Sequence, residues 1–252
     1  MRCAFSWRTI PAVSVPWHAG GDIACAVETH AAIRVIVGDV MGHGTAAAVT
    51  AAEVKRTFRE LARHAEPPHV LAMRLDRFVA SKPPARHAEE FVTAQLIFVP
   101  KDRHAEPEIV CCGHPPPLLL RGGRASFLDS IPAVPPLGLL DLAANRARTW
   151  PLGVRPGDEF LLYTDGVTDA HDELGLPYAL DERAAALAGT GLDALTADLL
   201  RHAGGKLRDD ATLVSLRFTD EPWTLSRPPR GRGSRTVSQN RDLRIWLSAH
   251  YR

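Results

Sequence analysis

Two short apolar runs that each lead to an aspartate constrain the fold of this chain most. Residues 31–37 (AAIRVIV) are followed by Gly38-Asp39, and residues 160–163 (FLLY) are followed by Thr164-Asp165-Gly166. Apolar runs of this length, bounded by turn-forming residues, predict buried strands. We therefore expect at least two strands that end in acidic turns.

Further strands and helices are predicted around these two runs. Alternating apolar residues predict strands at 92–98 and 213–218, and Val54, Phe58 and Leu61 share one face of a helix because they are spaced at i, i+4 and i+7. The predicted helices span residues 45–63, 69–80, 181–188 and 192–202. Because strands and helices come in blocks rather than in strict alternation, we expect an α+β fold rather than a doubly wound parallel sheet.

The formal charge of the chain is unevenly distributed. Residues 226–252 contain seven arginines and one acidic residue, which makes this segment +6 and leaves −5 on residues 1–225 of a chain whose total is +1. We expect one domain over residues 1–218 and a basic, flexible tail over residues 219–252. The tail is either a solvated extension or a docking arm for an acidic partner.

The composition excludes several classes of protein. The near-neutral total charge does not indicate a nucleic-acid or membrane partner, and charged residues interrupt every apolar run before the roughly 20 residues that a membrane span requires. None of the four cysteines forms a C-x-x-C pair, the spacing of a zinc or redox site, so neither kind of site is expected. We therefore expect a reduced, cytoplasmic location.

Four acidic positions share a common context at strand ends or beside glycine. They are Asp22, Asp39, Asp165 and Asp209, the last followed by Asp210. Taken singly, each could be an ordinary turn or helix-cap residue. Together they would repel one another unless cations neutralised them, and oxygen-only ligation favours Mg²⁺ or Mn²⁺. The set therefore predicts a metal site.

The order of five motifs resembles a known family. GGD, GDVMGHG, CGHPPPLLL, PGDEFLLYTDGVTDA and RDDATLV occur in this sequence between about residues 18 and 218. This order resembles the SpoIIE/RsbU-type bacterial branch of the PPM (PP2C-like) serine/threonine phosphatases. The resemblance implies a β-sandwich of two mainly antiparallel sheets flanked by helices, in α-β-β-α layers. It also implies two Mn²⁺ or Mg²⁺ ions with a bridging water at one end of the sheets.

The resemblance implies a role for each member of the metal site. Asp39 would bridge both ions, the Val40 carbonyl would assist, and Asp165 and Asp209 would complete the ligand set, with Asp22 as the remaining contributor. The segment after Asp22 departs from the family pattern, because relatives usually follow GGD with an aromatic residue and a second acid. Here the sequence continues Ile-Ala-Cys-Ala.

Two histidines are candidates for supporting roles. His43 follows Asp39 by four residues, whereas Met41 occupies the position of a histidine in eukaryotic-type relatives. His43 is either a catalytic proton donor acting through water or a residue that caps the next helix. His114 is interpreted as structural support for the turn after its strand. Gly42 and Gly44 are expected to let the backbone pass close to metal and phosphate.

The predicted function is hydrolysis of phosphoserine or phosphothreonine in a protein by a metal-activated water. The resemblance implies that the substrate is a STAS-type anti-sigma-factor antagonist in a partner-switching circuit. Two alternatives remain open: a catalytically weak PPM-like module that binds phosphoproteins, and a hydrolase for a small phosphoester. The sequence contains no Walker-type phosphate loop, which argues against nucleotide hydrolysis.

Overall fold

Two antiparallel five-stranded sheets form the centre of the computed structural model. The structure describes residues 2–12, 20–64, 66–82, 91–102, 104–142 and 147–220. Within them, the strands are β1 (Arg2–Ile10), β2 (Ile23–Glu28), β3 (Ala32–Val40), β4 (Val92–Pro100), β5 (Glu108–Cys112), β6 (Leu118–Arg121), β7 (Arg124–Phe127), β8 (Trp150–Pro151), β9 (Glu159–Tyr163) and β10 (Ala211–Thr219). The helices are α1 (Thr45–Leu61), α2 (Pro68–Ala80), α3 (Asp165–Thr168), α4 (Leu180–Ala186) and α5 (Leu192–His202), with a 3-10 turn at Leu140–Leu142.

Each sheet is built from strands that are distant in sequence. The first sheet has the order β1-β10-β9-β6-β7, and the second has the order β2-β3-β4-β5-β8. The strand pairs are antiparallel throughout. The chain crosses from the second sheet to the first between β5 and β6. The expected α+β class is confirmed.

Helices cover the outer faces of both sheets. α1 and α2 pack on the second sheet, where Val54 and Phe58 of α1 are completely buried. α4 and α5 pack on the first sheet, with Leu195 and Leu199 of α5 in its core. The four predicted helices are confirmed, and their ends differ from the predicted bounds by no more than two residues. α2 begins at Pro68, as expected for proline in a first turn.

The inner faces of the two sheets form a third apolar layer. Ile36 of β3 belongs to the core under α1, while its neighbours Val35 and Val37 are equally buried on the opposite face. Phe160 of β9 and Phe218 of β10 are also fully buried and meet edge to face with ring centroids 5.6 Å apart. The layers are therefore helix, sheet, sheet, helix, which confirms the predicted sandwich.

One end of the sandwich collects the acidic motifs. β3 continues past the predicted boundary at Val37 because Asp39 pairs in register with Thr93 of β4, so Asp39 lies inside the strand rather than in the turn after it. β2 starts beside the end of β3, since Ile23 pairs with Gly38. β9 ends beside the start of β10. These pairings place Asp22, Asp39, Asp165 and Asp209 at strand ends.

The basic tail lies outside the described residues beyond Asp220, and its boundary at residue 219 stays a prediction. Among the described helices, none has the length and apolar character that crossing a membrane requires.

Candidate metal centre

The carboxylate of Asp39 and the carbonyl of Val40 converge beside Gly21. A Cβ placed on Gly21 would lie 2.7 Å from Asp39 Oδ1 and 2.9 Å from the Val40 oxygen. Both distances are shorter than side-chain carbons tolerate, so glycine is required by the close approach of these two oxygens. The Val40 amide in turn donates to the Gly21 carbonyl at 3.3 Å. The structure thus brings together the two oxygens that the resemblance assigns to the metal ions.

Asp22 connects the two sheets through its side chain. Its Oδ2 accepts hydrogen bonds from the hydroxyls of Thr164, at 3.0 Å, and Thr212, at 2.5 Å. Thr164 directly follows β9, and Thr212 is the second residue of β10. Its main-chain oxygen accepts a bond from Lys55 Nζ on α1 at 3.1 Å. Asp22 therefore holds the strand ends of the first sheet against the start of β2.

The remaining acids lie on the segments that leave β9 and enter β10. Asp165 is the first residue of α3. Asp209 is exposed, and its Oδ1 accepts a bond from the Asp210 amide at 2.7 Å. Asp210 is buried: its Oδ1 accepts from the Ala12 amide at 2.7 Å, and its Oδ2 occupies the position that a Cβ on Gly20 would take. Asp210 belongs to the cluster although the ligand assignment from sequence omitted it.

The pKa values show that these carboxyl groups share one desolvated region. Burial raises the pKa of Asp22 to about 8, with the charges of Asp39 and Asp210 adding to the effect and the threonine hydroxyls opposing it. Burial likewise raises the pKa of Asp39 to about 7, assisted by the charges of Asp165 and Asp209. The pKa of Asp165 is also raised, first by burial and then by nearby carboxylates that include Asp209. Cations at this position would relieve the repulsion.

The donor set fits hard divalent ions that keep part of their water shell. Within the part of the chain that the structure describes, no three His, Cys, Asp or Glu side chains close around a point tightly enough to hold an ion unaided. Mg²⁺ is usually bound through one or two carboxylates and several waters. Asp39, the Val40 carbonyl and the surrounding carboxylates offer oxygen ligands of this kind. The residues present therefore fit Mg²⁺ or Mn²⁺.

His43 lies in the turn between β3 and α1 and is exposed. Gly42 and Gly44 on either side of it have φ angles of 94° and 82°. Both angles are in the region that favours glycine, so this turn suits glycine at both positions. The predicted close approach of the backbone to metal and phosphate stays a prediction. Gly44 is also the residue that precedes α1. The structure leaves the catalytic assignment of His43 as a prediction.

His114 lies inside the molecule, with 5% of its surface exposed. Its Nδ1 lies 2.9 Å from Thr93 Oγ1, and its Nε2 lies 2.9 Å from the Tyr163 carbonyl oxygen. The predicted supporting role is consistent with this position. Cys111 and Cys112, the last two residues of β5, are also buried.

A known protein family matches most of this chain. Residues 29–219 match the model of the family described as stage II sporulation protein E (SpoIIE). The chain belongs to the SpoIIE family. The resemblance that the five motifs indicated is confirmed by this match, which includes all of them except the GGD segment.

Solved structures with the PP2C-type fold resemble this member of the SpoIIE family. The RsbU and RsbW domains of Rv1364c from Mycobacterium tuberculosis share 24% identity and a TM-score of 0.71, over 86% of this chain and 60% of that one. The SiaA PP2C domain of Pseudomonas aeruginosa shares 22% identity and a TM-score of 0.69, over 86% of this chain and 85% of that domain. RsbX in complex with magnesium shares 15% identity and a TM-score of 0.63, over 86% of this chain and 96% of RsbX. The chain thus spans about 60% of the first of these, and the likeness confirms the fold.

The threonines that hold Asp22 were not identified from the sequence. Thr164 immediately precedes Asp165, and Thr212 lies two residues after Asp210. Their positions beside predicted ligands were a signal that could have drawn attention to them. Their bonds to Asp22 join segments 142 and 190 residues apart, a pairing that no local pattern reveals.

Proposed function

We propose that this SpoIIE-family chain is a metal-dependent protein serine/threonine phosphatase that uses two Mn²⁺ or Mg²⁺ ions. The observation that carries the proposal is the convergence of the Asp39 carboxylate and the Val40 carbonyl beside Gly21, inside a cluster of acids with raised pKa values. Asp39 and Val40 would hold the ions, and Asp165, Asp209 and Asp22 would complete the site. When bound, such ions activate water and neutralise phosphate charge.

The residues around the cluster suit an anionic ester. α1 begins at Thr45, immediately after the Gly42–Gly44 turn, and the amides at a helix N-terminus favour an anion. The positive φ angles of Gly42 and Gly44 give this turn a backbone path that other residues rarely adopt. His43 is exposed in the same turn and is the proposed proton donor to the leaving oxygen, acting through water.

The proposed substrate is a phosphoserine or phosphothreonine on another protein. A STAS-type anti-sigma-factor antagonist is the proposed partner, and the proposed location is the cytoplasm. Support comes from two structural neighbours. One contains RsbU and RsbW domains in a single protein, and the other is a protein of the bacterial stressosome system. A preference for free phosphoserine or nucleotides over phosphopeptides would contradict the protein-substrate part of this proposal.

A second candidate function is a phosphoprotein-binding module with little activity. It is favoured by the residues after Asp22, where Ile-Ala-Cys-Ala replaces the aromatic residue and second acid that relatives usually have, and where Cys25 is buried. The Asp22 carboxylate also bonds two threonine hydroxyls. Under this alternative, the folded protein would bind a phosphopeptide without hydrolysing it.

Hydrolysis of p-nitrophenyl phosphate and of a phosphoserine peptide, with and without Mn²⁺, separates the two functions. Asp39→Asn and Asp165→Asn should each lower the Mn²⁺-dependent rate by at least about 100-fold, as expected for loss of a metal ligand. Asp102→Asn is the matched control, since Asp102 is exposed and lies beyond the end of β4 that is opposite the cluster. No Mn²⁺-dependent rate in folded wild-type protein would refute the enzyme.

A further inference from the structure

His114 lies where the chain passes from the second sheet to the first. It follows β5 by two residues, after Gly113, whose φ angle is 61°. One ring nitrogen faces Thr93 of the second sheet and the other faces the Tyr163 carbonyl of the first, each at 2.9 Å. A single buried imidazole therefore spans the gap between the two sheets.

The partners of the ring fix the position of its proton. The Tyr163 carbonyl can only accept, so Nε2 carries the hydrogen and donates to it. Burial lowers the pKa of His114 to about 4, so the ring is neutral at neutral pH and Nδ1 is an acceptor. The Thr93 hydroxyl oxygen also lies 3.4 Å from the Asp39 main-chain oxygen, but its proton must then go to Nδ1, the nearer acceptor. The two hydrogen bonds run in one direction, from Thr93 through the imidazole to Tyr163.

Both ends of this connection lie beside proposed metal ligands. Thr93 is the register partner of Asp39 across the β3–β4 pair. Tyr163 is the last residue of β9, two positions before Asp165. A change in the length of the connection would therefore alter the separation between the strand that carries Asp39 and the strand end that carries Asp165.

We propose that His114 is a positioning residue, which holds the ends of β4 and β9 at the separation that lets Asp39 and Asp165 serve the same pair of ions. This inference rests on the proposed function for the identity of the metal site. It requires no contact of His114 with metal or substrate. It also goes beyond support of the local turn, because the partners of the ring belong to two different sheets.

The test uses Thr93→Val, which removes the hydroxyl while preserving the shape of the side chain, and Thr93→Ser, which restores it. Mn²⁺ affinity is measured by isothermal titration calorimetry, so the readout does not depend on turnover. Thr93→Val should weaken Mn²⁺ binding by about tenfold or more, because the acceptor of a buried imidazole is left without a donor; the longer 3.4 Å contact of the hydroxyl with the Asp39 main-chain oxygen is lost as well. Thr93→Ser should recover most of this loss.

Ser215→Ala is the matched control for loss of a partly buried hydroxyl. Ser215 Oγ donates to Glu159 Oε1 at 2.5 Å within the first sheet, four residues along β10 from the cluster end. Ser215→Ala should lower the urea midpoint of the metal-free protein about as much as Thr93→Val does, yet keep Mn²⁺ affinity within about twofold. Equal losses of Mn²⁺ affinity in the two variants would reduce His114 to a general stability role and overturn the inference.

Nitrogen-15 NMR of the metal-free protein tests the direction of the hydrogen bonds. Among the eleven histidines, the ring of His114 is identified as the one whose Nδ1 resonance shifts in Thr93→Val, and in the wild-type spectrum that ring should be neutral with a protonated Nε2 and a bare Nδ1. The opposite tautomer would overturn the inference. Wild-type protein that binds Mn²⁺ but hydrolyses no phosphoester would refute the proposed function, and the Thr93 affinities would still decide the role of His114.

Discussion

The metal-free protein should become less stable as the pH rises through the neutral range. The pKa of Asp22 is about 8 and that of Asp39 about 7 in the folded protein, whereas an aspartate in an unfolded chain ionises near pH 3.9. Between about pH 4 and pH 7, the folded protein therefore retains protons that the unfolded chain has lost. The stability is fully present below the unfolded pKa and is lost as the pH rises through the folded values.

The size of this effect follows from the number of protons retained. Each retained proton lowers the free energy of unfolding by about 1.4 kcal/mol per pH unit. Between about pH 5.5 and pH 7.5, one retained proton lowers the free energy of unfolding by about 3 kcal/mol. Two retained protons would lower it by no more than about twice that amount. A loss of about 3 kcal/mol is a large part of the roughly 5–15 kcal/mol that stabilises a typical domain.

Urea unfolding in EDTA at the two pH values, followed by tryptophan fluorescence, measures the loss. Asp22→Asn should make the pH dependence shallower, because one titrating group is gone while an acceptor oxygen remains for Thr164 and Thr212. Saturating Mn²⁺ should reverse the trend, since the ions bind the ionised carboxylates. A metal-free stability that is constant or rises from about pH 5.5 to pH 7.5 would show that these acids do not share a desolvated site.

Three further predictions concern single positions. Gly21→Ala should weaken Mn²⁺ binding by about tenfold or more, measured by calorimetry, because its Cβ would lie 2.7 Å from Asp39 Oδ1; unchanged affinity would show that this approach does not shape the site. Asp209→Asn should lower Mn²⁺-dependent hydrolysis of p-nitrophenyl phosphate by about 100-fold or more while the urea midpoint in EDTA is retained, and full activity would exclude Asp209 as a ligand. Asp158→Ala should lower the free energy of unfolding by about 2–3 kcal/mol, because buried Asp158 accepts two bonds from Arg121, at 2.8 and 2.6 Å. Mn²⁺ affinity should not change in that variant, and a loss of affinity without a loss of stability would contradict this assignment.

Elements with a strong local pattern were predictable from the sequence. α1 starts where its periodicity and the preceding glycine indicate, and α5 has the predicted bounds, because an amphipathic face and a helix start are local properties. The end of β3 was not predictable in the same way. Asp39 continues the strand because Thr93 of β4 provides a pairing partner, and pairing across 54 residues leaves no trace in the local pattern. Strands β6 and β7, each only four residues long, were also missed, although they form a hairpin whose Gly122-Gly123 turn is a local signal.

The acidic site likewise contains residues that the sequence identified and contacts that it did not reveal. Asp39 and Asp165 were identified because each follows an apolar run, and the motif order that surrounds them indicated the family. The place of Asp210 against Gly20 and the attachment of Asp22 to two threonines depend on how the strand ends meet. The bridge through His114 depends on the distance between the sheets.

The sequence alone therefore determined the fold class, four of the five described α-helices and the candidate metal ligands, because periodicity, turn chemistry and motif order are properties of neighbouring residues. Tertiary structure decided which carboxylates are desolvated, which hydroxyls hold them and which histidine joins the sheets. These properties depend on contacts between strands that are far apart in the chain, and burial and hydrogen-bond geometry exist only once those strands have packed together.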